Sequence, residues 1–574
     1  MAKIAFFGVG LMGEPMANHL LAAGHGVTVV AQRRGNRGGT QLMKPLAGVV
    51  VIAMLLAGLG GLPARGQGRA QAVIAMWGLP IRILGSSEAV TGYVSLLIND
   101  SLTAVDPQGN VVGRLAAQYP VSPDGKTYLV TLRNATFGDG TPITAQDVKA
   151  SYELYLHPKY PTTPPALLEI AGGPEYKAGK GTSVTGITVV NPKTVRFILN
   201  RPYPFFYEQI GTAPILPAKA LAGIDVARLQ ESPFTRKPIG AGPYRLTDWR
   251  ERESITFDAS PGYWGGVPTL PRVVLKLIPE DATVVAELRA GNIDAGRILP
   301  DVYRSFQREP QVAVLRVPGD TFYWFAPNFR MPIFQDVRVR QAMAFAINRP
   351  EMLRALYQGL GTVAQSPIHP SLWQFDKSLK GYGYDPAKAR QLLAEAGWTP
   401  GPDGILQKGG RRFKFRYGFL AGKEYQNQAL LVQQYLRAIG MDVDVEAHER
   451  GDFFGRYFSP AGNIEVVGIA WFNLLFPPQT ELEDNFKTTG SGAKVLGYSN
   501  PALDQLLDEA ILTRDRARQK ALYDQIQQLV IQDVPHVLTI RPDVIWGVRK
   551  RFTLPGGIDS LRGFFGSVPR WSVR

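Results

Sequence analysis

Cysteine is absent from all 574 residues. That excludes disulfides, thiolate-bound zinc and a thiol nucleophile. It also removes the residue on which a bacterial lipoprotein anchor is built, so an exported form is expected to be free rather than lipid-tethered. Histidine is scarce, and His19, His25, His157, His369, His448 and His536 stand isolated. No HExxH or other paired spacing offers a metal site, and each histidine is expected on the surface or in a turn. There is no G-x-S-x-G elbow. The nearest approach to a phosphate loop, Gly173–Thr182, has Gly181 where Ser or Thr would hold Mg²⁺. Glu481, Glu483 and Asp484 read as a solvated helix face. A nucleophile, a base and a stabiliser do not come together, so no enzyme, no metal and no cofactor are expected.

A dense basic run is also missing. The net charge is +15, but residues 1–72 hold seven Lys/Arg against one acid and carry +6 of it. The remaining 56 basic and 47 acidic residues leave +9 spread over about five hundred positions. That is a solvated basic surface, without the clustering that nucleic acid demands.

The chain is too long for one core, so two or three domains are expected. With 61 Gly and 44 Pro, turns are frequent, and strands alternate with helices without a repeat period, which describes α/β lobes. Residues 115–155 show the local logic. Pro123-Asp124-Gly125 is a turn, and Thr127–Arg133 then alternates with Tyr128, Val130 and Leu132 on one face. Thr144 and Asp147 form a capping box before a helix carrying Val148, Tyr152 and Tyr155. Asp336, Asp385-Pro386 and Asn500-Pro501 open further helices. The spacing predicts another over Gln426–Ile439 with Leu430, Leu431, Tyr435 and Leu436 inward. Phe322–Phe325 is expected as a strand whose aromatic rings face both ways.

Four blocks in order carry a resemblance. They are LAAQYPVSPDGKTYLVTLRNATFGDGTPITAQDVKASYELY at 115–155, IGAGPYRLTDWRERESITFDASPGYWGG at 239–266, FQDVRVRQAMAFAIN at 334–348 and GYSNPALD at 497–504. Together they resemble the extracytoplasmic solute-binding proteins of the dipeptide, oligopeptide and nickel type that serve ABC importers. The resemblance implies a two-lobed α/β fold with a hinge and an inserted small domain. It assigns 73–115, 235–325 and 540–574 to the first lobe, 116–234 to the insertion and 326–539 to the second lobe. It further implies a monomer that captures a peptide or peptide-like solute between its lobes and docks on an inner-membrane permease, with no nucleic-acid partner.

The first 72 residues hold two signals. Ile4–Phe7, then Gly8-x-Gly10-x-x-Gly13, then a helix pattern and Val27–Ala31 make a dinucleotide-binding fingerprint in its proper context. Arg33 and Arg34 stand where an NADP-type site would have them, and the segment resembles the start of the 3-hydroxyisobutyrate dehydrogenase family. Only about forty residues match, and the rest of such a sheet never follows. From Met43, Lys44 and an apolar stretch lead to Ala70-Gln71-Ala72, the pattern of a secretory signal with cleavage near Ala72. The expectation is a native start at Met43, residues 1–42 as a spurious or fused fragment, 43–72 as signal peptide, and a soluble periplasmic protein of a Gram-negative bacterium.

Candidate ligand-binding residues follow from aromatics near the resembling blocks: Tyr323, Trp324, Trp471 and Phe472, with Asn473 and Leu474. Peptide-binding members of the resembling family carry W-x-x-D-x-x-x-P, in which the Asp pairs with the ligand's ammonium group. Here Trp471 and Pro478 keep their places, but Leu474 occupies the Asp position, and leucine cannot compensate a buried charge. Asn473 would offer only a neutral acceptor. A peptide with a free amino terminus is therefore a doubtful ligand. A blocked peptide, an opine-like compound, a sugar or a metal chelate stays open, and an NADP-binding oxidoreductase fragment is the remote alternative.

Overall fold

The computed structural model describes residues 4–7, 27–30, 70–80, 82–84, 89–106, 109–161, 163–457, 459, 464–472, 478–556, 558 and 561–574. The chain divides into two units, Met1–Gly66 and Gln67–Arg574. In the first, Ile4–Phe7 and Val27–Val30 pair as parallel strands with Ile4 opposite Val27. Gly8, Gly10 and Gly13 lie outside the described residues, as do the apolar stretch 45–62, Asn473 and Leu474.

In the second unit, local signals become the expected elements. The turn at Pro123-Asp124-Gly125 puts Gly125 at φ 69°, and the Asp124 carboxylate accepts the Lys126 N–H at 3.0 Å. The strand Thr127–Leu132 buries Tyr128, Val130 and Leu132 and leaves Leu129 exposed. The helix Ala145–Leu156 starts as the capping box requires. Asp147 accepts the Thr144 N–H at 2.8 Å, and its second oxygen accepts the Ala218 N–H at 2.8 Å. Asp336, Asp385 and Asn500 each accept a backbone N–H from the first turn of the helix they open. One expectation fails. The helix Lys423–Arg437 buries Ala429, Val432, Tyr435 and Leu436, while Leu430 is exposed. Leu430 sits about 100° round the helix from Ala429, on the flank of the buried stripe, and its hydrophobicity alone misplaced it.

Three sheets organise the unit. The four-stranded antiparallel sheet runs Ala116–Gln118, Thr127–Leu132, Thr194–Ile198, Ile187–Asn191 in space. Its apolar face shares one core with Leu503, Leu507, Tyr523 and Ile526 of two later helices. The seven-stranded sheet is mixed, with Gln71–Met76 parallel to both Arg272–Leu277 and Ala295–Arg297 at its centre. Ala72 is fully buried in that strand opposite Val273, so cleavage after Ala72 would remove the strand's first two residues. The five-stranded sheet runs Asp442–His448, Lys414–Leu420, Val466–Phe472, Thr321–Pro327, Val537–Leu538. It is covered on both faces: Tyr323 and Phe325 belong to one core, Phe322 and Trp324 to the other.

The chain passes between the two large sheets twice. It leaves the seven-stranded sheet after Val317 and enters the five-stranded one at Thr321. It returns between Ile540–Pro542 and Val544–Arg549. The change of sheet thus falls before residue 321 and after residue 542, and a lone strand carries no mark of which sheet it joins. The two passages touch. A Cβ on Gly319 would collide with the Pro542 carbonyl oxygen, Arg541 Nη1 donates to the Gly319 carbonyl at 3.4 Å, and Arg316 pairs with Asp543.

Candidate functional site

The double passage positions a cluster that no stretch of sequence displays. Asp320 and Arg541 come from the two passages and are 8% and 3% exposed. The Arg541 guanidinium lies 5.0 Å from the centre of the Phe322 ring, and its Nη2 is buried without a partner among the described residues. Burial pushes its pKa down to about 10 against the opposing pull of Asp320 and Glu481. Such a cation is costly to bury, and an incoming anion would satisfy it. Tyr93, from a helix packed on the seven-stranded sheet, faces the same point: burial and the Asp320 charge both raise its pKa.

Phe322 and Trp324 share a face because they are two residues apart in one strand. Helix Gln479–Phe486 closes over that face, and between them lies a cavity of about 10 Å³ lined by Phe322, Trp324, Glu481, Asn485 and His536. The Asn485 side-chain oxygen is buried without a partner among the described residues, close to Gly492. The helix is held from both sides. Gln209, next to the small sheet, donates to the Thr480 hydroxyl at 2.9 Å, and Gln479 accepts from Tyr523 at 2.9 Å.

Two histidines depart from expectation, His369 and His536, while His157 lies half-exposed in a bend as expected and His19 and His25 fall outside the described residues. His536 is buried and lies flat on Trp324, with ring centres 4.0 Å apart and an interplanar angle of 2°. His369 is buried, and its Nδ1 accepts the Ser371 N–H at 3.1 Å. Burial lowers the pKa of both to about 3, and the Arg541 charge contributes for His369. Both are neutral packing groups. Nor are the acids on helix Gln479–Phe486 simply solvated: Glu481, Glu483 and Asp484 are half-buried, and burial raises the Glu483 pKa.

The candidate ligand residues separate by face. Trp324 joins Phe322 on the cavity side. Tyr323 points the other way, where its hydroxyl and that of Tyr357 both donate to Glu424. Trp471 and Phe472 stand in register opposite Phe322 and Thr321. Arg541, Asp320 and Glu481 were missed. Nothing in local sequence marks them, because their proximity depends on chain passages more than two hundred residues apart.

Comparison with known proteins adds a second line. The profile of the bacterial extracellular solute-binding proteins, family 5, matches residues 110–493, and that of the NAD-binding domain of 6-phosphogluconate dehydrogenase matches residues 3–43. The chain is 28% identical over 471 residues to the oligopeptide-binding protein AppA of Bacillus subtilis, covering 80% of this chain and 83% of the relative. It is 28% identical over 445 residues to heme-binding protein A of Haemophilus influenzae, covering 74% and 77%. The solved structure of Bacillus subtilis AppA in complex with a nonapeptide superposes with a TM-score of 0.71 at 26% identity, covering 88% of this chain and 99% of that one.

Proposed function

Because the chain belongs to the bacterial extracellular solute-binding proteins of family 5, and so is the substrate-binding component of an ABC transporter, we propose that its cargo is a carboxylate-bearing peptide or peptide-like solute held between its two lobes. The observation that carries this is Arg541. A buried guanidinium with an unpartnered Nη2 beside an aromatic face is a receptor for a carboxylate. Asp320 and Glu481, whose charges both act on Arg541, are the acids nearest the proposed site. Trp324 and Phe322 supply apolar and stacking surface. The peptide bound to the AppA structure supports the class of solute, and an opine-like acid meets the same requirements.

The lobes are read as follows: the seven-stranded sheet with its helices, the five-stranded sheet with its helices, and the small four-stranded sheet as the insertion. The passages at 318–320 and 541–543 are the hinge. Closure over solute follows if the closed state makes contacts the open one lacks, and the closed form docks on a permease as a monomer. Binding and release without turnover account for the site, and no nucleic acid is needed. Family membership makes the protein extracytoplasmic, and among the described residues no helix is long and apolar enough to cross a membrane. We place it free in a periplasm, with residues 1–42 outside the exported chain.

Native mass spectrometry of the protein from its own periplasm identifies the solute. Calorimetry on Arg541→Gln then tests the role of the guanidinium: loss of a hydrogen bond to a charged group corresponds to about 1.5–3 kcal/mol, roughly tenfold or more in affinity. Unchanged affinity, or a solute without a carboxylate, would overturn the reading. Location is decided by sequencing the amino terminus of the periplasmic protein. A start near Ala72 is expected, and an intact Met1 end in the cytoplasm would refute export.

A further inference from the structure

A second cavity, larger than the one beside Phe322, lies elsewhere in the five-stranded sheet's surroundings. It has a volume of about 230 Å³ and opens at the edge of the five-stranded sheet, behind Val537 and Leu538. Its rim is exposed, at Pro350, Gln365, Gly383 and Tyr384. Its floor is Arg349, only 4% exposed. Arg349 Nε donates to the Leu538 carbonyl at 2.7 Å, and Nη1 donates to the carbonyls of Ala344 at 2.9 Å and Tyr382 at 3.2 Å. Those bonds fix the guanidinium plane. Nη2 donates to no described residue.

The charge is uncompensated. None of the lining residues is acidic, and burial lowers the Arg349 pKa to about 10 with no carboxylate acting against it. Carbonyl dipoles satisfy the donors on one side and leave the positive charge in place. The rest of the wall is mainly aliphatic, including Ile347, Val363, Val530 and Ile531. A fixed cation at the floor of an apolar pocket selects an anion with a hydrocarbon body, because a bare inorganic anion would lose its hydration against the aliphatic wall. An apolar cavity of about 150 Å³ is known to admit benzene, so this one has room for a ring or short chain together with its carboxylate.

We propose that this pocket is a second binding site, for a small organic carboxylate with an apolar body. The carboxylate meets Arg349 Nη2, and the body fills the aliphatic wall. The site is distinct from the solute cleft but adjoins it. His536 lines both cavities and stacks on Trp324, so one imidazole separates the two occupants.

The probe is 4-fluorobenzoate, followed by fluorine NMR line broadening on the full-length protein. Saturable binding in the millimolar range or tighter is expected, with no binding of neutral 4-fluorobenzamide. Arg349 holds several carbonyls and its replacement endangers folding. The cavity is therefore filled instead by Ala344→Leu, with its melting temperature checked, and the probe is expected to bind at least tenfold more weakly. Arg541→Gln, which disables the proposed cleft anchor, should leave probe binding unchanged. Failure of wild-type protein to bind, equal binding of the amide, insensitivity to Ala344→Leu or loss with Arg541→Gln would each overturn the second site. The last of these would assign the probe to the cleft.

Discussion

At the scale of the residue, His369 and His536 make stability depend on acid. Each titrates near 6.5 in an unfolded chain and is held near 3 when folded. Below pH 6.5 the unfolded state takes up protons that the native state refuses. The stabilisation is therefore complete above about 6.5 and is lost as the pH falls toward 3, at about 1.4 kcal/mol per pH unit for each histidine. The urea midpoint should fall between pH 7 and pH 4. His536→Phe, which keeps a ring on Trp324, should flatten that fall by about half, and a midpoint constant across the range would contradict the assignment. Neither histidine was legible as a core residue. An isolated imidazole adds nothing to a hydrophobic period, and the burial of His536 rests on Trp324, some two hundred positions away.

At the scale of the element, the best-read features are those that a dozen residues settle among themselves. The capping box, the turns and the helix starts at Asp336, Asp385 and Asn500 depend on neighbours in sequence and came out as expected. Leu430 did not, because a helix face is chosen by the partner it packs against. Asp147 does more than cap. It ties the start of helix Ala145–Leu156 to Ala218, and it is 7% exposed. Asp147→Ala leaves three donors unsatisfied, those of Thr144 N–H, Thr144 hydroxyl and Ala218 N–H. Destabilisation of about 2–4 kcal/mol is expected in urea titrations, with solute affinity per folded molecule unchanged. A variant within 0.5 kcal/mol of wild type would show that the box is cosmetic.

At the scale of the whole molecule, the family was legible in four separated blocks, but the architecture around the site was not. Which sheet Thr321–Pro327 joins is decided by pairing with Val466–Phe472, a partner that local pattern cannot name. Gly319 is where that architecture is most exposed to test. With Gly319→Ala the two passages must separate to relieve the contact with Pro542, at a cost of about 1–3 kcal/mol. Small-angle scattering should then show a reduced contraction on adding solute, with affinity lowered about tenfold. Normal contraction would place the hinge elsewhere. The seven-stranded sheet has one more consequence. Its strand Val544–Arg549 lies inside the sheet, between Ala295–Arg297 and Val312–Val317. Until that strand is made, the other five strands can pair among themselves, but the edge strand Val312–Val317 has nothing to join. Both partners of Val544–Arg549 precede it in the chain, so the piece that ties the edge to the rest of the sheet arrives after everything it ties.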